Sequence, residues 1–158
     1  MAEQKHIYSY YIDRDGNWFC EDNPVDDPAL FRMLSRALYE EDGRYFLRCE
    51  GEVHPVRVAD APLWVRYVHV RLDSEGELSG VEIELRDGRG EELDAQSLHA
   101  ENPRALYCAA TPRRLKARFA KTAYNELTRY LKEAKGEYYL TIGGRKFVVW
   151  TEGDSISQ

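Results

Sequence analysis

Cysteine is scarce in this chain. Cys20, Cys49 and Cys108 are odd in number, far apart, and no two form a CxxC pair. That excludes a disulfide framework or a zinc knuckle and predicts free, reduced thiols in a cytoplasmic setting. No apolar run approaches the ~20 residues that cross a bilayer. The opening residues Met1–His6 also lack the apolar core of an export signal, so neither membrane attachment nor export is expected. Catalytic signatures are missing too. There is no GxSxG elbow and no HExxH. His6, His54, His69 and His99 are scattered, none at ligand spacing from another histidine or a cysteine. We therefore expect no metal, no cofactor and no catalytic residue. Basic residues are outnumbered, 22 against 28 acidic, for a net charge of −6, which argues against a nucleic-acid partner.

What the chain does have is a repeated stretch. Residues 34–47 and 127–140 agree at Leu34/Leu127, Arg36/Arg129, Leu38/Leu131, Glu40/Glu133, Gly43/Gly136, Tyr45/Tyr138 and Leu47/Leu140. Each copy reads as the end of an amphipathic helix, a glycine stop and the start of an aromatic strand. A unit written twice predicts one domain of two related halves, and the seam between such halves is a natural place for a pocket.

The pattern along the chain fills in those halves. His6–Ile12 alternates as a strand, Asp13–Asn17 is a hairpin turn and Trp18–Cys20 returns. Asp13-x-Asp15-Gly16 resembles a calcium loop, but position 24 is Pro24 where the loop requires glutamate, so the turn is preferred. Asp27 and Pro28 open a helix as N-cap and first helical residue, with Leu30, Phe31, Leu34, Ala37 and Leu38 inward and Gly43 as its stop. Tyr45, Leu47 and Cys49 share a strand face, paired with a strand holding Val56 and Val58. Leu63–Leu72 is a long strand, and Val81, Ile83 and Leu85 alternate with Glu82, Glu84 and Arg86 on a strand with one wet face. Asp87–Gly90 is a turn, Glu91–Ala95 a short strand, residues 96–105 a loop and Leu106–Ala109 a short strand. Thr111-Pro112 opens a second helix running to about Ala134, with Leu115, Phe119, Ala123, Leu127, Tyr130 and Leu131 inward. Tyr138–Ile142 and Lys146–Trp150 form a hairpin. The resulting fold class is α+β with mainly antiparallel sheets, divided as residues 1–61, residues 62–150 and a loose tail, 151–158.

Charge is unevenly spread over this frame. Residues 112–135 hold eight basic and two acidic side chains, +6, leaving −12 elsewhere. On a helix, Arg114, Arg118, Lys121, Arg129 and Lys132 would share one face, and Arg113 and Arg114 would crowd the positive end of the helix dipole. An anion must offset that cost. It is either the protein's own acidic remainder or a phosphate-bearing ligand or partner surface. The aromatics Tyr8, Tyr10, Tyr11, Trp18 and Phe19 read as core, with base stacking as the alternative.

Several of these stretches resemble one bacterial family of uncharacterised proteins, catalogued as domain of unknown function 1285. They are Ile12-Asp13-Arg14-Asp15-Gly16-Asn17-Trp18 with Asn23-Pro24-Val25, then Tyr45-Phe46-Leu47, Glu52 with Val58-Ala59-Asp60-Ala61-Pro62, and Leu115-Lys116-Ala117-Arg118 with Tyr124-Asn125-Glu126-Leu127. The chain departs from the family at Arg86–Gly90, where a Thr-Asn-x-Gly-Asp-like stretch is usual. The resemblance implies a duplicated α+β fold, a C-terminal half similar to pleckstrin-homology domains, and a nucleotide-like ligand between the halves with a role in signalling. The matching positions nearest that seam are Trp18, Glu52, Asp60 and Arg118. With Arg114 they are the candidate binding residues. The expected function is non-enzymatic, a sensor or adaptor for a small anionic molecule. The alternatives are a protein-interaction module and an enzyme acting on a phosphorylated substrate.

Overall fold

Alternating burial marks several strands of this chain, Leu115–Phe119 among them. The computed structural model describes residues 6–102 and 104–151; apart from Thr151, the expected tail at 151–158 lies outside them. Contacts divide the chain into residues 1–63 and 64–158.

The first unit runs β1 (Tyr10–Ile12), β2 (Trp18–Cys20), β3 (Asn23–Pro24), α1 (Pro28–Arg36), β4 (Leu38–Glu41), β5 (Arg44–Cys49) and β6 (Glu52–Val58). Its six strands lie in the order β3-β2-β1-β6-β5-β4. Asp13 closes the first hairpin itself: Oδ1 accepts from the backbone N–H of Asp15 and Asn17, both at 2.9 Å. At α1 the Asp27 carboxylate accepts from the Ala29 N–H at 3.0 Å, as an N-cap does. Register places Tyr10, Ile12, Trp18, Leu47 and Val56 on one face of the sheet. These residues are buried, and Phe31 of α1 rests edge-on against Trp18 at 6.2 Å.

The second unit comprises β7 (Leu63–Leu72), which begins at the boundary, β8 (Leu78–Leu85), β9 (Gly90–Glu92), a single 3-10 turn at Ala95–Ser97, β10 (His99–Asn102), β11 (Ala105–Ala110), β12 (Leu115–Phe119), α2 (Lys121–Thr128), β13 (Lys132–Ala134), β14 (Glu137–Ile142) and β15 (Arg145–Thr151). The order is β13-β14-β15-β10-β11-β12-β7-β8-β9. The sheet curls until the β14–β15 turn meets β8, where the Gly143 N–H donates to the Leu78 carbonyl at 2.9 Å. Val65, Ile83, Leu98, Cys108, Ala117, Leu127 and Leu140 are buried in this unit.

The sheets are mainly antiparallel, as expected, but the balance of the expected α+β fold shifts toward strand. Among the described residues there are two short helices, and the structure is mostly strand. Both sheets are mixed, with parallel junctions at β1/β6 and β10/β15. The helix expected from Thr111 to Ala134 is instead a turn, strand β12, the short α2 and strand β13. Leu115, Ala117 and Phe119 are buried while Lys116 and Arg118 alternate outward. That is a period of two, and β11 supplies the hydrogen-bond partners. The first helix likewise stops at Arg36, and the expected loop at 96–105 holds β10.

Gly43 and Gly136 are not helix stops. Each is the second residue of a two-residue hairpin turn, β4–β5 and β13–β14, with φ of +78 and +82. Both repeated stretches thus run from a helix end through a short strand and a glycine turn into a longer strand. Leu34 and Leu127 are buried alike, as are Leu47 and Leu140. Leu38 is buried but Leu131 only partly.

Candidate functional site

The alternation that makes β12 a strand also aims its cations. Lys116 and Arg118 leave the face opposite Leu115, Ala117 and Phe119, and the antiparallel register sets Tyr107 of β11 beside Arg118. One strand further, His99 of β10 stands beside Tyr107. The two rings stack, with centroids 5.4 Å apart and planes 19° from parallel.

Cations sit over these rings. Lys116 Nζ lies 4.3 Å from the Tyr107 centroid, and the Arg118 guanidinium lies 5.9 Å from Tyr107 and 5.2 Å from the Trp64 ring on β7. Cation–ring attraction of about 0.5–2 kcal/mol each helps hold the charged heads in place. Lys116 Nζ also reaches Glu101 Oε2 at 2.7 Å. His99 Nδ1 is 3.0 Å from the Ser97 carbonyl, which requires the proton on Nδ1 and leaves Nε2 3.8 Å from Glu101 Oε1.

One donor in this cluster has nothing to donate to. Trp64 Nε1 is buried and finds no acceptor in the structure described. A buried N–H without a partner costs about 1–3 kcal/mol.

The sequence candidates are divided between the two units. Trp18 is a core residue of the first unit, between Tyr10 and Phe31. Glu52 opens β6 opposite Cys49, half-buried. Asp60 is half-buried in the loop before Pro62. Arg114 and Arg118 belong to the second unit, but the shared helical face on which they were grouped does not exist. Arg114 lies in the turn before β12 with φ +54, and its Nη1 meets Asp94 Oδ2 at 2.8 Å. Other members of the basic stretch are also paired internally, Arg129 with Glu126 at 3.3 Å and Lys132 with Glu77 at 3.5 Å. These pairs are exposed and worth at most about 1 kcal/mol each, yet they supply part of the anionic offset that the sequence requires. Strand order and register, not a local motif, make Trp64, His99, Glu101 and Tyr107 neighbours. The only sequence signal was the alternation of Leu106-Tyr107-Cys108 against Leu115–Phe119.

The remaining reactive groups are restrained. Burial pushes the Cys108 thiol up to about 12 and also raises that of Cys20. Burial, then the charge of and a hydrogen bond to Glu40, raise the Tyr45 hydroxyl to about 12. Among the described residues no cluster of three or more His, Cys, Asp or Glu is arranged to hold a metal ion, and no helix is long and apolar enough to cross a membrane.

A mostly-β chain of two mixed sheets is an architecture already represented among solved structures. A DUF1285 family protein from Silicibacter pomeroyi DSS-3 superposes with a TM-score of 0.75 at 24% identity, over 92% of this chain and 81% of its own. A second DUF1285 family protein, from Shewanella baltica OS155, superposes at 0.60 with 21% identity, over 76% of this chain and 90% of its own. The chain therefore has the fold of the family that its sequence motifs resemble. No protein-family profile matches it, and no curated protein does.

Proposed function

We propose that this protein is a non-enzymatic sensor or adaptor that binds a small anionic, nucleotide-like molecule in a cytoplasmic signalling role. The observation that carries this reading is the buried Trp64 Nε1–H, which lacks an acceptor, in the residue whose ring lies 5.2 Å from the Arg118 guanidinium. An anionic oxygen bound there would satisfy the indole donor and meet a cation set beside two rings. Arg118 is the sequence candidate that this reading retains. The restrained thiol of Cys108 favours binding over nucleophilic chemistry.

The curled sheet of the second unit supports a likeness to pleckstrin-homology domains, and the matching glycine hairpins support an origin of the two units by duplication.

Calorimetric titration with a panel of nucleotides and phosphorylated metabolites tests the binding. At least one should bind the unaltered protein. Trp64→Phe, which keeps a ring and removes the donor, and Arg118→Ala should each weaken that ligand by about tenfold or more. A panel without a binder, or a binder indifferent to both substitutions, would overturn the reading.

A further inference from the structure

The first unit has two sheet faces, and α1 rests on only one of them. The other face carries Tyr11, Phe19, Tyr39 and Phe46, all half-buried, together with Arg44, Arg48 and Arg57, all exposed. Strand register puts these residues on one side: Tyr11 opposite both Phe19 and Arg57, and Tyr39 opposite Phe46. The rings form two pairs, Tyr11–Phe19 at 6.3 Å and Tyr39–Phe46 at 5.8 Å, tilted by 32° and 31°. Arg57 lies over Tyr11 at 4.8 Å.

Charge on this face opposes that of the unit around it. Residues 1–63 hold seven basic and thirteen acidic side chains, yet the face gathers three of the arginines. Among the described residues none of the three forms an ion pair, even though Glu41 is the cross-strand partner of Arg44. Like charges on adjacent strands such as β5 and β6 repel. The sheet tolerates that repulsion on a face whose aromatic surface is already only half covered.

We propose that this face docks an acidic, extended peptide segment of a partner protein, one that carries aromatic or proline side chains between its carboxylates. All three cations are arginine, whose planar fork matches a carboxylate through two parallel hydrogen bonds and also stacks on rings. Arg44 and Arg48 are four residues apart on β5, about 13 Å at ~3.3 Å per residue, which is the reach of a short extended segment. The two aromatic pairs supply the apolar ground between the charges. A peptide of few charges suits this surface better than a nucleic acid, because a net charge of −6 repels a polyanion and each aromatic ring is already engaged with a ring beside it.

The test is selection of a random-peptide display library against the full chain, followed by anisotropy titration of the enriched peptides. Enriched sequences should interleave Asp or Glu with aromatic or proline residues. The triple variant Arg44→Ser, Arg48→Ser, Arg57→Ser should weaken them about tenfold or more at unchanged melting temperature, and Arg118→Ala should leave them unaffected. The single variant Arg57→Ser, expected to weaken binding severalfold, decides the matter if the triple variant melts early. Absence of enrichment, or enriched peptides indifferent to the arginine variants, would overturn the proposal. So would binding of an oligothymidylate in their place, or self-association of the chain that the same variants abolish.

Discussion

Gly43 and Gly136 stand at the same place in two hairpins, each preceded by a non-glycine residue with positive φ. Asp42 has φ +53 and Lys135 has φ +54. Two successive left-handed residues are the backbone of the turn that best matches the twist of antiparallel strands. The chain meets that demand twice with glycine second and a polar residue first.

Neither glycine has a neighbour within 4 Å of the position a Cβ would take. Gly43→Ala and Gly136→Ala should therefore act through φ alone, each costing about 1–2 kcal/mol. Chemical denaturation of the two variants checks this. A loss well above that range would mean that the turn is crowded, and no loss would mean that its φ is not left-handed.

Burial separates the leucines of the repeat. Leu38 is 1% exposed and Leu127 is fully buried, whereas Leu131 is partly exposed. Leu38→Ala and Leu127→Ala should each cost about 2–5 kcal/mol, and Leu131→Ala less, because less apolar surface is lost and water already reaches the site. Equal costs at Leu38 and Leu131 would show that the two copies pack alike after all.

Alkaline pH should destabilise the fold by a route the buried groups define. Tyr45 and Cys108 hold their protons up to about 12 in the folded state, above their ordinary values of 10.0 and 9.0. The folded chain then binds more protons than the unfolded one, so this part of the stability is complete below about pH 9 and declines as pH rises toward 12. Tyr45→Phe should flatten the decline in a denaturation series taken against pH. In the same preparation Cys108 should resist a thiol reagent at neutral pH and react once the chain is unfolded. A fast-reacting Cys108 in the native protein would contradict its burial.

Features fixed by a few adjacent residues were legible in the sequence. The Asp13 turn, the Asp27–Pro28 helix start, the wet-faced β8 and the Gly143-Gly144 hairpin all appear where the pattern puts them. Each depends on chemistry within a few positions: a carboxylate capping nearby N–H groups, a proline with no N–H to lose, a glycine free to take positive φ. The extent of the helices was not legible, for a definite reason. Leu115, Phe119, Ala123, Leu127 and Leu131 recur every four residues, and a spacing of four fits a helical stripe and also one face of a strand. Only Ala117, buried between Lys116 and Arg118, distinguishes the two locally.

Tertiary structure made that choice. Neighbouring strands on both sides of β12 take up the backbone hydrogen bonds that a helix would have satisfied internally, and helix begins only at Lys121. The same pairing decided the candidate site. Sequence by itself determined that Arg118 is a cation in an unusually basic stretch. Its setting beside Trp64 and Tyr107 arises from residues 54 and 11 positions away, brought together by strand order and register, which no local pattern encodes.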